Sequence, residues 1–162
     1  MTIVEASTFN RLDRGMVWVQ LAIVIPELAT RLRGVHVDLS RAKGFESGIS
    51  TDLGQFFGET QRHWLVNVDD DNSLQGTQLR AAITEHGLPW FEKARTEDGL
   101  IDILRNDPSM DALEVRAILY SDRGDFDGVQ SMLGEIVARR PDLDSHVREW
   151  AAERKLFRSN AL

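Results

Sequence analysis

The hydrophobic periodicity of this 162-residue chain changes once, at the acidic run Asp69-Asp70-Asp71-Asn72, and that change sets the fold class. Ahead of it, short segments rich in β-branched and aromatic residues alternate with turn residues, which is the pattern of strands. Behind it, apolar residues recur at helical spacing. Strands first and helices afterwards, without βαβ alternation, describe an α+β protein. The expected architecture is an antiparallel sheet from the N-terminal half with helices packed on one face, then a C-terminal helical hairpin and one further helix. The length suits a single domain, residues 1–162. It reads as mainly β over 8–68 and mainly α over 73–158, with 110–158 as a three-helix extension.

Within the β part, Thr8–Leu12 pairs with Met16–Leu21 across Asp13-Arg14-Gly15, where glycine supplies the positive φ of a short hairpin. The second strand stays apolar through Ile25, as a central strand buried on both faces does, and Pro26 ends it. Val35–Leu39 alternates polar and apolar and reads as a strand. Ser40–Asp52, with Gly44, Gly48 and four Ser or Thr, reads as a loop. His63–Val68 is the next strand.

In the α part, Asn72 and Gln75 form a capping box, and Leu79, Ala82, Ile83 and His86 recur at helical spacing. Gly87 is the expected stop, and Pro89 opens the next helix with Trp90, Phe91 and Ala94 toward the core. Thr96 with Glu97-Asp98 starts a helix through Leu104 that Asp107-Pro108 breaks. Helices over Met110–Ser121 and Phe126–Arg140 flank a Gly124-Asp125 turn. Val129, Met132, Leu133, Ile136 and Val137 form one apolar stripe. Pro141 closes that helix. Asp144 opens another, with Val147, Trp150, Ala151 and Phe157 on one side.

Composition narrows function more by exclusion than by assignment. There is no cysteine, so no disulfide framework, thiolate metal site or Cys nucleophile is possible. Lys plus Arg number 19 against 26 Asp plus Glu, a net charge of −7, which argues against nucleic acid as the default partner. The N-terminus lacks the charged leader and apolar core of a secretory signal. The longest apolar run, Met16–Pro26, is interrupted by Gln20 and falls short of the roughly 20 residues of a membrane span. The expectation is a soluble, cytoplasmic protein without a membrane partner.

The strongest catalytic-looking feature is the acidic run itself. A strand ending in Asp-x-Asp is where haloacid-dehalogenase-like phosphatases hold Mg²⁺, a hard ion suited to carboxylates. Those enzymes carry the motif early in a doubly wound chain with a downstream Lys, whereas here helices follow and only Lys93 and Lys155 remain. The run also fails as an EF-hand, with Leu74 at the glycine position and Arg80 at the bidentate acid. A solvated turn opening a helix explains it more simply. His36, His63, His86 and His146 show no metal-ligand spacing, although His36 and His63 would meet if their strands pair. No nucleophile elbow, dinucleotide fingerprint or Walker loop is present. Arg31, Arg33, Arg41 and Lys43, with Arg11 and Arg14, make a loose basic group inside a stretch whose charges balance, so they read as a mixed-charge surface. Of the tryptophans, Trp18, Trp64, Trp90 and Trp150, three fall on expected core faces.

Two resemblances carry part of the chain. Leu113, Ala117 and Tyr120, the Gly124-Asp125 turn, Leu133, Ile136 and Pro141 resemble one tetratricopeptide-type hairpin over 110–141. The pattern departs from that family at Val129, where a small residue is usual, and at Arg116, where a large apolar one is common. No second copy exists, so a peptide groove is not implied. Thr8-Phe9-Asn10-Arg11, Val24-Ile25-Pro26-Glu27-Leu28, His63-Trp64 and Gly87-Leu88-Pro89-Trp90-Phe91 are similar to a bacterial family, domain of unknown function 4304, over residues 8–104. That family has an antiparallel sheet flanked by helices and no established activity. The helix that would precede Thr8 is missing here, and the resemblance implies no catalytic residue.

These readings converge on a non-catalytic protein-interaction or immunity-like module, with no cofactor and no metal, whose acidic helical face steers toward a basic protein partner. Residues 55–128 carry 15 acidic and 7 basic side chains, while residues 1–54 balance. The alternative is a metal-dependent hydrolase using Asp69 and Asp71 with His63. A third reading is a small-ligand pocket lined by Trp18, Trp64 or Trp90. Oligomeric state is not legible in the sequence.

Overall fold

The computed structural model describes residues 2–11, 14–34, 49–59, 62–67 and 71–157. The class is α+β: a four-stranded antiparallel sheet followed by helices. The chain is organised as two compact units, a sheet unit of Met1–Ile25 with Arg41–Arg95, and a helical unit of Pro26–Ser40 with Thr96–Leu162.

In the sheet unit, β1 (Thr2–Arg11) pairs with β2 (Arg14–Ile23) along their full length, from Thr2 opposite Ile23 to Arg11 opposite Arg14. The other edge of β2 is shared. β3 (Ile49–Asp52) pairs with residues 20–23 and β4 (His63–Asn67) with residues 14–18. β2 is therefore the central strand, as its β-branched and aromatic content requires.

The hairpin differs in register from the sequence expectation. Gly15 lies inside β2 opposite Asn10, and only residues 12 and 13 connect the strands. The close of the hairpin is thus earlier than the glycine suggests. Val35–Leu39, the expected strand, lies outside the described residues. The end of the expected loop, Ile49–Asp52, is strand β3, because pairing with β2 outweighs its serine and threonine content.

Alternation on β2 separates two faces. Val19 and Leu21 are buried on one. Trp64 stands opposite Val17 and so shares that face. The second face is only partly apolar, so β2 is not the doubly apolar strand expected. Trp18 Nε1 donates to Asp52, and Gln20 Nε2 donates to Ser50 Oγ at 3.1 Å, a polar ladder across β2 and β3.

Helix α2 (Ser73–Ala82) does not begin with the Asn72–Gln75 box. Asn72 makes no side-chain cap. Asp71 Oδ1 instead accepts from the Ser73 amide at 2.9 Å, and Ser73 Oγ donates to Asp71 Oδ2 at 3.2 Å. The buried Oε1 of Gln75 has no partner among the described residues. Gly87 is not a stop either. Residues Ile83–Gly87 form a π-helical turn that runs directly into α3 (Leu88–Lys93), with Pro89 in its first turn. Gly87 lies against Leu21, so the continuous helix covers the apolar sheet face.

The helical unit contains α1 (Pro26–Arg33), α4 (Glu97–Leu104), α5 (Met110–Asp122), α6 (Phe126–Arg139) and α7 (Asp144–Glu153). The sequence reading missed α1, although Pro26 begins it, Glu27 lies in its first turn and Arg31 and Arg33 in its last. Three of these helices start on a side-chain cap, of which Thr96 is the one expected from the sequence. Thr96 accepts from Gly99 N at 3.1 Å, Ser109 from Ala112 N at 3.1 Å, and Asp125 from Gly128 N at 2.9 Å.

The α5–α6 hairpin is the centre of this unit. Leu113, Ala117, Ile118, Val129 and Ile136 are almost wholly buried. The close approach comes from Gly128, where an added Cβ would sit 2.8 Å from Tyr120 Cγ; this leaves Val129 free to be large. Arg154 ties α7 to α1. Its Nη2 donates to the Leu32 carbonyl at 3.1 Å, and its guanidinium lies 5.1 Å from the centre of the Trp150 ring. Helix α7 ends at Glu153, so Phe157 lies beyond it, after Lys155 in the left-handed region at φ 53°.

Candidate functional site: an aromatic platform at a π-helical turn

Five large apolar side chains are exposed among the described residues, Phe56, Phe57, Leu65, Leu74 and Leu88, and all five belong to the sheet unit. Two of them, Phe56 and Phe57, lie in one cluster with His86, Arg62 and Trp64. Local sequence builds that cluster step by step. Asp52 ends β3 and accepts from the Gly54 amide at 2.6 Å, starting a 3₁₀ turn over Leu53–Phe57. Gly58, at φ 72°, ends the turn in the left-handed conformation that glycine adopts without strain. The turn is pinned against the start of β4. A Cβ at Gly54 would sit 2.6 Å from the Arg62 amide nitrogen. Only glycine allows this approach, which holds Phe56 and Phe57 beside Arg62.

The π-helical turn supplies the remaining ring. Such turns place a side chain out of ordinary helical phase and occur often at functional positions. His86 stacks on Phe56 with centroids 5.5 Å apart and planes 10° apart, and meets Phe57 edge-on at 4.8 Å. The Arg62 guanidinium carbon lies 4.3 Å from the centre of Phe57 and 5.6 Å from that of Trp64. Both distances are within cation–π range. Its ion pair with Glu59 is long, at 3.6 Å. Beneath these groups Trp64 is buried, and its indole N–H finds no acceptor among the described residues.

The residues singled out for hydrolysis are described only in part. Asp71 is engaged with Ser73, Asp69 and Asp70 lie outside the described residues, and His63 opens β4 with its backbone opposite Trp18. Among the described residues no three His, Cys, Asp or Glu side chains gather where a metal ion could be held. Trp18 and Trp64 occupy opposite faces of the sheet, so these two do not line one pocket together. Of the basic group, Arg31 pairs with Asp122, while Arg41 and Lys43 lie outside the described residues.

The acidic residues of 55–128 divide between the two units rather than belonging to one of them. Many are engaged locally. Arg123 donates to Glu97 at 3.1 Å and to Asp98 at 2.6 Å, and Arg95 pairs with Glu92 at 3.1 Å. Asp107 accepts from the Ser109 amide at 2.8 Å. Asp111 and Asp127 lie in the first turns of α5 and α6, where carboxylates favour helix starts.

Phe56 and Phe57 are the residues the sequence reading missed. The available signal was an adjacent aromatic pair followed by glycine in a short polar stretch. No helix of the described residues is long and apolar enough to cross a membrane. No family model, curated protein or solved structure matches the chain.

Proposed function

We propose that this protein is a non-catalytic interaction module, of the partner-neutralising or immunity-like kind, that meets a basic protein through the Phe56–Phe57–His86–Arg62 platform. The observation that carries the reading is the exposure of two adjacent phenylalanines, Phe56 at 37% and Phe57 at 38%, on a turn closed by glycine. Exposed aromatics beside an arginine are the composition of contact hot spots. The net charge of −7 favours a basic partner and speeds encounter with it. The resemblance to domain of unknown function 4304 belongs to the same proposal and adds no activity to it.

The test is affinity capture with the full chain from its native host at low and moderate salt, alongside the Phe56→Ala/Phe57→Ala double variant. A basic partner retained at low salt, weakened by salt and lost with the double variant is the expected result. Equal capture by both chains, or no salt-sensitive partner, overturns the reading.

A further inference from the structure

We infer that the Phe57–Trp64 ring pair is a guanidinium site, filled by the chain's own Arg62 in the free protein and taken by an arginine of the basic partner on binding. The inference rests on the interaction reading above and names what the platform recognises.

The internal contact shows what the rings accept. One guanidinium lies against two rings at 4.3 and 5.6 Å, so two aromatic faces converge on one cation. What holds it there is weak. Among the described residues the Arg62 side chain makes no hydrogen bond, and the Glu59 carboxylate is 3.6 Å away, beyond hydrogen-bond reach. Cation–π contacts at partly exposed sites are modest, and Arg62 keeps a third of its side chain in solvent. The Arg62 backbone lies close against Gly54, just ahead of β4.

Arginine fits better than lysine as the incoming group, because a planar guanidinium stacks on ring faces while an ammonium is compact and strongly hydrated. Phe56 and His86 extend the ring wall beyond Phe57, where the methylene stem of an entering arginine would lie. Glu59 supplies the carboxylate that the displaced and entering cations exchange. The chain's excess of acidic residues matches a partner rich in arginine.

The experiment uses N-acetyl-arginine methylamide as probe and the Trp64 indole N–H resonance as readout, on the full chain. Its neutral analogue, N-acetyl-citrulline methylamide, is the control. Arg62→Ala and Arg62→Met vacate the site, the second keeping an apolar stem over the rings. Both variants are expected to bind the arginine amide saturably. The wild-type chain should bind at least about twofold more weakly, the factor reached when the tethered Arg62 fills half of the sites. Adding Phe57→Ala to either variant should abolish the gain.

The inference is overturned if neither vacated chain shows a saturable shift up to roughly 100 mM probe, well above the millimolar effective concentration of a tethered group. An equal response to the citrulline amide also overturns it. Should both variants lose their fold, titration of the wild-type chain with tri-arginine decides, and an unmoved Trp64 signal counts against the site. The two proposals fail separately. Partner capture that needs Phe56 and Phe57 but is indifferent to Arg62→Ala and to competing arginine amide keeps the interaction reading and removes the guanidinium site. Amide binding without any captured partner does the reverse.

Discussion

The helical unit and the sheet unit are built on different terms. Three helices of the first carry their own starts in the adjacent sequence. Thr96, Ser109 and Asp125 cap α4, α5 and α6 from within three residues of the amides they satisfy. In the second, β1 and β2 form a local hairpin, but β3 and β4 exist only through distant partners, pairing with β2 from 26 to 32 and from 45 to 53 positions away. The units also differ in what they show to solvent. All five exposed large apolar side chains among the described residues belong to the sheet unit, whereas the helical unit keeps such residues inside and is rimmed by ion pairs. The unit whose helices cap themselves thus keeps a closed surface here, and the unit that needs distant strand pairs is the one with rings to offer.

The sharpest way to break the comparison is to remove what each unit depends on. Ile118, on α5 of the hairpin, has no exposed surface. Ile118→Ala should cost about 2–5 kcal/mol, as a buried truncation that leaves a cavity. Urea unfolding followed by helical circular dichroism measures it. A loss below about 1 kcal/mol would mean that the hairpin is held by its caps rather than its core. The corresponding point in the sheet unit is a close approach. Gly54→Ala drives a Cβ to 2.6 Å from the Arg62 amide nitrogen, which the backbone must relieve by moving. The expected cost is about 1–3 kcal/mol. The more telling readout is spatial: nuclear Overhauser contacts between Phe57 and His86 should weaken, while those of Ile118 with its hairpin neighbours persist. Unchanged Phe57–His86 contacts would show that the platform does not depend on this glycine.

What could be read from the sequence follows the same division. The starts of α4, α5 and α6, the Gly124-Asp125 turn and the buried stripe Val129–Ile136 all rest on interactions within a few residues, and each was legible. Helix α1 carried equally local marks in Pro26, Glu27 and Arg31, but they were outweighed by the apolar strand directly before them. The failures elsewhere have a common physical cause. Gly15 is an ordinary strand residue because the hairpin register, set over ten residue pairs, overrides its turn preference. Gly87 continues a helix because the sheet beneath it, at Leu21, favours an unbroken covering element. The platform was less legible still. Phe56, Arg62 and His86 are up to thirty positions apart, and no spacing rule predicts that a π-helical turn brings the imidazole onto the ring. The acidic run was legible in part, since Asp71 serves the start of α2 as a solvated turn opening a helix does.

The smallest effect probes the rim of the helical unit, where charge rather than packing is at stake. Glu114, half-buried on α5, has its carboxyl raised above the ordinary carboxylate range, first by burial and then by the nearby Asp111; Arg154 and His146 oppose the shift. A carboxyl that is harder to ionise in the folded state binds its proton more tightly there than in the unfolded chain. Stability therefore falls as pH rises from the ordinary carboxylate value through the raised folded one, and the penalty is fully present at neutral pH. Glu114→Gln removes the ionisation and should stabilise the protein at pH 7 by about 0.5 kcal/mol or less, the usual scale for a substitution away from the deep core. The gain should vanish in acid, below the ordinary carboxylate value, where the wild-type side chain is neutral in both states. Paired urea titrations of the two chains across that range measure the difference directly. A gain that persists unchanged into acid would trace the effect to packing of the amide, and the rim of the helical unit would then be as indifferent to charge as its core.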